Sequence, residues 1–384
     1  MALRDVLCRN VAALRARRFA TTDVAVVGSG APGRGMGWYH AKQILDGEVP
    51  SAKLTDVVEP WFMGGGSTGP GSAAFNAFRT SAEAAGVSFH ASVTNMSKPS
   101  DKKMAMICSR TADMPAHFGE VIASGCSHIF LEKPGAPTVE ELETMSAAST
   151  AAGVGVFMGF NKNVTKYVKM GREALAKVPG GEFTLVHHNS YTREDIDECF
   201  ERCSEGILKN MAIHELACLV TFFGVNVDTL ASVVADKHYS ICETLKGPSS
   251  GKMFTDFSKI GFTMTSKAGA KCSVYADRCG GFMPGGAMAD GAMVYSLVSK
   301  DGIVHFRAII PNAVVRARAA KNPDFMSYFH LQHDDYVTLK ERCCAHIAAG
   351  EPGFPEGIAT LQTGIDALKL VEMLKPELEA QLLA

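Results

Sequence analysis

The chain has 384 residues, 47% of them hydrophobic and 20% charged, with a formal net charge of -2. That length holds two or three ordinary domains with a sizeable core. The balanced charge excludes the basic field that a nucleic-acid binder needs, and no run approaches the ~18 consecutive apolar residues of a membrane helix.

The N-terminal stretch differs in composition from the rest of the chain. Met1 to Ala20 carries Arg4, Arg9, Arg15, Arg17 and Arg18 against one acid, Asp5. Leu3, Val6, Leu7, Val11 and Leu14 share one helical face. Residues 1–22 therefore read as a mitochondrial transit peptide, processed near Arg17-Arg18-Phe19-Ala20. The other reading is an amphipathic arm packed on the domain or on a neighbouring subunit. A matrix location is expected, and otherwise a cytoplasmic one. The eleven cysteines, odd in number and without a C-x-x-C, argue for a reducing compartment. Cys199, Cys203 and His214 lack a convincing fourth ligand, so no metal is expected.

From Asp23 the pattern alternates. Val24-Ala25-Val26-Val27 reads as a strand buried on both faces. A glycine-rich turn and a helix through His40, Ala41, Ile44 and Leu45 come next. Lys53–Glu59 is a second strand, Phe75–Ala85 a helix and Val87–Phe89 a third strand. Met104–Cys108 is a fourth, Phe118–Ser124 a helix and His128–Leu131 a fifth. Thr138, with Glu141 three residues later, is a capping box for a helix to about Ala152. Val154–Phe160 is the sixth strand. This alternation predicts a doubly wound α/β domain, a Rossmann domain with a mainly parallel sheet, over residues 23–160.

The pattern then changes. Glu182–Tyr191, Leu230–Asp236, Phe254–Thr265, Lys271–Asp277, Ala292–Ser299 and Ile303–Ile309 read as strands joined by short turns. They predict an α+β domain with a large, mostly antiparallel open sheet over residues 161–384. Helices are expected over Asp334–Ala349 and Gly357–Leu374, with the option of packing back on the first domain. The loop Gly280–Gly291 is the expected flexible element.

Gly28-Ser29-Gly30-Ala31-Pro32-Gly33 lies between the first strand and a helix. Such glycines let the backbone approach a pyrophosphate at the helix N-terminus. Two registers are open, one using Gly33 and one using Gly37 with Arg34 in an insertion. Glu59 ends the second strand, where an acid accepts hydrogen bonds from the ribose of NAD and repels a 2′-phosphate. NAD is the expected cofactor; Arg34 keeps NADP as the alternative.

Glu132-Lys133-Pro134, with Gly125–Leu131 before it and Thr138–Leu142 after it, resembles the Gfo/Idh/MocA oxidoreductases. So do Gly159-Phe160-Asn161-Lys162 and the stretch Gly206 to His214, which is similar to that family's G-x-x-x-D-x-x-x-H motif. The resemblance covers about residues 23–375. It implies hydride transfer between nicotinamide and a carbinol or carbonyl carbon of a sugar, cyclitol or related small polar molecule. It implies that Lys133 hydrogen-bonds the reacting oxygen and that His214 is the acid/base. It also implies a homodimer or homotetramer formed through the second domain's sheet.

The chemistry agrees with those roles. Oxidising an alcohol needs a base for the hydroxyl proton, and histidine titrates in the useful range. A lysine at the carboxyl end of a parallel sheet polarises an oxygen bound there. Asn210 and His214 are spaced i, i+4, on one helical face. Asn161, Lys162, Tyr191 and Asn210 are expected substrate contacts, with Arg193 and His188 as further candidates. Ser109, Arg110, Thr111 and Glu132 are expected near the cofactor.

The match also departs. Asn210 replaces the usual aspartate, Ala217 a second one, and Met114 a histidine; Ser109-Arg110-Thr111 replaces Thr-Pro-Asn. Asparagine carries no charge to raise a histidine's pKa. Two other functions compete: a non-catalytic dinucleotide-binding regulator, and an enzyme using bound NAD for elimination or hydrolysis through transient oxidation.

Overall fold

The computed structural model describes residues 21–96, 102–189, 191–280 and 293–383. The arginine-rich residues 1–20 and nearly all of the 280–291 loop therefore lie outside the described residues. The chain divides into two compact units. One runs to Gly159 and takes in Tyr336–Leu361; the other holds Phe160–Asp335 and the residues from Gln362 on.

The first unit is built on six strands among the described residues: β1 (Thr22–Val27), β2 (Ala52–Val58), β3 (Ser88–His90), β4 (Lys103–Ile107), β5 (His128–Leu131) and β6 (Gly155–Met158). They lie in the order β3-β2-β1-β4-β5-β6, and every pairing is parallel. Val24 to Val27 and Met104 to Ile107 are fully buried. Their continuous apolar runs suit strands covered on both faces. Helices α1 (Met36–Leu45), α2 (Ser72–Ala84), α3 (Met114–Ser124) and α4 (Val139–Ala152) make the crossovers. The order reverses between β1 and β4, so the ligand crevice is expected at the carboxyl ends of those strands.

Local chemistry sets the helix ends. Thr138 accepts the Glu141 N–H and Glu141 accepts the Thr138 N–H, the full capping box. α3 starts four residues before the expected Phe118, because Pro115 at its first turn is a helix start rather than a breaker. Tyr336–Leu361 is tied to this unit by the Thr22 hydroxyl donating to the Cys344 carbonyl at 2.7 Å, and by Met158 N–H donating to the Ala359 carbonyl.

The second unit contains α5 (Lys166–Leu175), β7 (Glu182–His188), α6 (Ile196–Arg202), α7 (Ile213–Phe223) and the strands β8 (Leu230–Ala235) to β13 (Ile303–Ile310). The strands between them are β9 (Ile241–Lys246), β10 (Met253–Ser266), β11 (Lys271–Asp277) and β12 (Met293–Lys300). The sheet order is β13-β12-β7-β11-β10-β8, with β9 also on β10. Only β7 and β11 pair in parallel among these described strands. α5 covers β12 and β13, burying Tyr167 against Tyr295, Ala308 and Ile310.

Several expectations need correcting. β7 stops at His188, short of Tyr191. β9 has no counterpart in the sequence pattern: its residues are mostly half-exposed, so no buried face marks it. α8 (Asn312–Lys321) buries only Val315 and has no apolar stripe to read. The C-terminal helices are longer than expected, α9 being Ser327–Ala349 and α10 Leu361–Leu383, the latter with Pro376 inside it.

Candidate functional site

The glycine turn comes directly after β1. Gly28, Gly30 and Gly33 all have positive φ, the conformation that glycine adopts at least cost. The helix begins only at Met36, with Gly35 at its N-cap. A Cβ at Gly37 would overlap the Gly28 carbonyl oxygen, and one at Gly28 would lie 2.7 Å from Ser109 Cα. Gly37 is thus the residue that lets the helix approach the loop, and Gly33 belongs to the four-residue insertion. Gly35 brings no side chain to cap the first turn, which suits a pyrophosphate bound by backbone N–H groups. Arg34 is exposed on the insertion.

Glu59 is buried beside this turn. Its Oε2 accepts the Gly30 N–H at 2.7 Å and the Ser29 hydroxyl at 3.0 Å, and its Oε1 accepts the Trp61 N–H at 3.1 Å. The carboxylate therefore braces the glycine loop. It has about four acceptor positions, so a ribose hydroxyl still has one to use. The residues present fit a dinucleotide.

On the other side of β1, Ser109 bonds His117 Nδ1 at 2.9 Å. Thr111 opens a short 3₁₀ turn to Asp113. Arg110 points outward and pairs with Asp113 at 2.9 Å. Met114, at the usual histidine position, is buried at the start of α3.

Glu132 and Lys133 lie just past β5. The Lys133–Pro134 peptide bond is cis. Glu132 is buried; its Oε1 lies 2.9 Å from His40 Nε2, and its Oε2 accepts the Lys133 N–H at 3.3 Å. Lys133 itself is half-buried. Burial outweighs the nearby carboxylate and holds His40 down to about 4, so the ring is neutral near pH 7.

In the second unit Gly206 precedes a π-helical turn, Leu208–Ala212, which leads into α7. The expected continuous helix is thus wider where it carries Asn210, a local form common at functional sites. Asn210 is half-buried and His214 is buried. The His214 ring meets Phe160 edge-on at 5.9 Å and His187 at 6.2 Å. α7 packs on β7 and on the turn Asn161–Val164.

The charge beside His214 comes from a residue the motif does not mark. Glu215 is fully buried between Lys162 Nζ, at ion-pair distance, and His187 Nδ1 at 3.0 Å. Burial pushes its carboxyl up, but the charges of His187 and Lys162 outweigh that and hold it at about 2. Lys162 is itself buried, with its ammonium 5.0 Å from the Tyr295 ring. It serves Glu215 first, a pairing with no signal in the sequence. Asn161 is fully buried and donates to Gln332 Oε1 at 3.0 Å.

Other candidates lie in different settings. The Tyr191 hydroxyl accepts from Arg202 at 3.0 Å, and Arg193 makes a two-pronged pair with Glu243. Burial holds His188 below the ordinary histidine range. Cys199 accepts from the buried Arg278, which also pairs with Asp256 at 2.7 Å. Among the described residues no group of three or more His, Cys, Asp or Glu is placed to hold a metal.

Sequence reasoning misses His40 as the partner of Glu132, and with it His117, His187 and Glu215. One signal is present: His40 lies three residues after Gly37, on the helix face that meets the sheet.

Residues 22–160 match the family described as oxidoreductases with an NAD-binding Rossmann fold, GFO_IDH_MocA. No curated protein sequence matches the chain. Among solved structures, a scyllo-inositol dehydrogenase from Lactobacillus casei superposes with a TM-score of 0.65 at 15% identity, covering 94% of this chain and 97% of its own. A probable dehydrogenase from Thermotoga maritima gives 0.62 at 18% identity, covering 94% and 97%. An oxidoreductase from Agrobacterium radiobacter, in complex with NAD+, L-tartaric acid and magnesium, gives 0.61 at 11% identity, covering 94% and 96%. At these identities the likeness is one of fold. No helix among the described residues is long and apolar enough to cross a membrane.

Proposed function

From the match of residues 22–160 to the Gfo/Idh/MocA oxidoreductases with their NAD-binding Rossmann fold, we propose that this protein is a dehydrogenase or reductase of the carbinol carbon of a cyclitol, sugar or related polar molecule. The observation that carries the reading is the buried Glu132 beneath Lys133 at the end of β5, the sheet end where such proteins bind ligands.

NAD would be held by the turn Gly28–Gly37 and by Glu59, with Ser109, Arg110 and Thr111 on the facing loop. When bound it supplies the hydride acceptor or donor. Lys133 hydrogen-bonds the substrate oxygen and stabilises the charge that develops there. His214 takes or returns the hydroxyl proton. Asn210 replaces an aspartate, so the negative charge near His214 is that of Glu215, held ionised by Lys162 and His187. Tyr191 and Asn210, both half-buried, remain proposed substrate contacts, while the buried Asn161 and Lys162 are proposed to act indirectly, through Gln332 and Glu215.

The known structures of similar fold that are named as inositol dehydrogenases support a polyol substrate. The test is to mix the protein with NAD+ or NADP+ and a panel of inositols, sugars and hydroxy acids, following reduced nicotinamide. Turnover of a polyol is expected. Cofactor binding without turnover of any compound would favour a non-catalytic regulator. Glu59→Ala is expected to narrow the preference for NAD over NADP, and an unchanged ratio would remove its ribose role.

The proposal includes a homodimer or homotetramer through the sheet. Val234, Ile241, Met253 and Ile303 on its strands are 45–65% exposed, and are among the apolar side chains that such an interface would cover. A solution mass of one chain, 40.9 kDa, would contradict it. Residues 1–22 are proposed as a matrix-targeting segment on composition alone; import with cleavage by isolated mitochondria is the test.

A further inference from the structure

Lys340 is fully buried on α9, within the segment Tyr336–Leu361 that belongs to the first unit. Its Nζ lies 2.6 Å from Gln43 Oε1, 2.9 Å from the Tyr336 carbonyl oxygen and 3.0 Å from His40 Nδ1. Two of those partners can only accept. The third is settled from the far side of the ring. Glu132 Oε1 is 2.9 Å from His40 Nε2, and a carboxylate requires a donor there. His40 therefore carries its proton on Nε2 and offers a lone pair on Nδ1. Three acceptors around one nitrogen call for three N–H groups, which is the charged ammonium. Burial brings that ammonium down to about 7, against the upward pull of the Glu132 charge.

The result is an ion pair with a neutral imidazole between its members. Glu132 is the only carboxylate in hydrogen-bond contact with this ring among the described residues. The ring is held between aromatic neighbours, with Phe130 edge-on at 5.5 Å and Tyr336 at 5.6 Å. Gly159 closes the other side: a Cβ there would come within 3.0 Å of Glu132 Cα and Oε1. Glu132 thus has one position, and its Oε2 accepts the Lys133 N–H.

We propose that Lys340 and His40 are positioning residues, a buried brace that fixes the charge and aim of Glu132 and through it the backbone that carries Lys133. The proposal rests on the reading of Lys133 as the residue at the reacting oxygen. Neither brace residue touches substrate. The device explains why a helix distant in sequence is joined to β5: it brings the one cation that a buried Glu132–His40 pair needs. Removing Lys340 leaves His40 Nδ1 without its donor, and the ring is then free to exchange tautomer or to protonate.

The first measurement uses the unaltered protein. Nitrogen NMR of ¹⁵N-histidine-labelled protein, with His40 assigned by the signal lost in His40→Gln, is expected to show a neutral ring protonated on Nε2 between about pH 5 and 8. A ring protonated on Nδ1, or an imidazolium at pH 7, overturns the brace. The second compares Lys340→Met with Leu339→Ala, which removes a buried side chain from the same helix turn but leaves the brace. With NAD+ and the polyol turned over most rapidly, Lys340→Met is expected to lower kcat about tenfold, with KM for NAD+ within twofold, and to make His40 titrate. Leu339→Ala is expected to change neither. Equal loss of kcat in both variants would reduce Lys340 to packing and overturn the proposal. Should no polyol turn over, the functional reading fails, while the His40 signal still decides whether the brace exists.

Discussion

Replacing Glu215 by glutamine leaves Lys162 buried without its counter-charge, and gives His187 a neutral amide in place of a carboxylate. Breaking a buried pair by losing one partner costs about 3–5 kcal/mol. Urea unfolding of Glu215→Gln is expected to show a loss of that order, and a double change to Lys162→Met with Glu215→Leu to recover most of it. A loss below about 1 kcal/mol in the single variant would mean that the pair is solvated and not the buried charge centre described. The residue scale is also where the sequence is least legible. Lys133 stands in a recognisable tripeptide, and Gly28, Gly30 and Gly37 lie in a recognisable turn. Glu215 belongs to no such pattern, because its partners Lys162 and His187 come from separate elements. Periodicity along one segment carries no information about such a meeting. Lys340 is the same case, 300 residues from His40.

Elements are more legible where one face or one cap decides them. Thr138 and Glu141 announce α4 three residues apart, and the cap forms in full. Thr138→Ala is expected to cost about 1 kcal/mol, measured as a shift of the urea midpoint with unchanged slope. Glu141→Gln, which keeps an acceptor, is expected to cost less. Equal and negligible effects would show that α4 is held by tertiary packing of Leu142 and Met145 alone. The central strands of the first sheet are legible because burial on both faces makes runs such as Val24–Val27, Met104–Ile107 and Ile129–Leu131 apolar throughout. β9 and α8 are not, since each is largely exposed and neither carries an apolar stripe. The π turn at Leu208–Ala212 has no sequence signal at all, and it alters the geometry inferred for Asn210 and His214.

At the scale of the whole molecule, two buried groups, His40 in the first unit and Asp335 in the second, respond to pH in opposite senses. His40 is held at about 4 by burial, below the ~6.5 of an unfolded histidine. Between those values the unfolded chain binds more protons, so the first unit loses stability as pH falls from 6.5 to 4. The loss is about 3 kcal/mol, and it is complete below the folded value. Asp335 in the second unit is raised to about 6 by burial, so its contribution grows as pH falls from 6 towards 3.8. Hydrogen exchange at about pH 7 and about pH 5 is expected to show protection falling in β1, β4 and β5, with a smaller change in β12. His40→Gln should flatten the pH dependence of the first unit; an unaltered slope would assign the acid sensitivity to another group.

The central claim is that Lys133 acts on the substrate oxygen of a nicotinamide-dependent reaction. The direct measurement is steady-state turnover of a polyol with NAD+ by the unaltered protein and by Lys133→Ala, alongside NADH binding by fluorescence. The expected result is a fall in kcat/KM of about 10²–10⁴-fold, with NADH affinity within a few-fold of the unaltered protein. Turnover by Lys133→Ala at the rate of the unaltered protein would contradict the account.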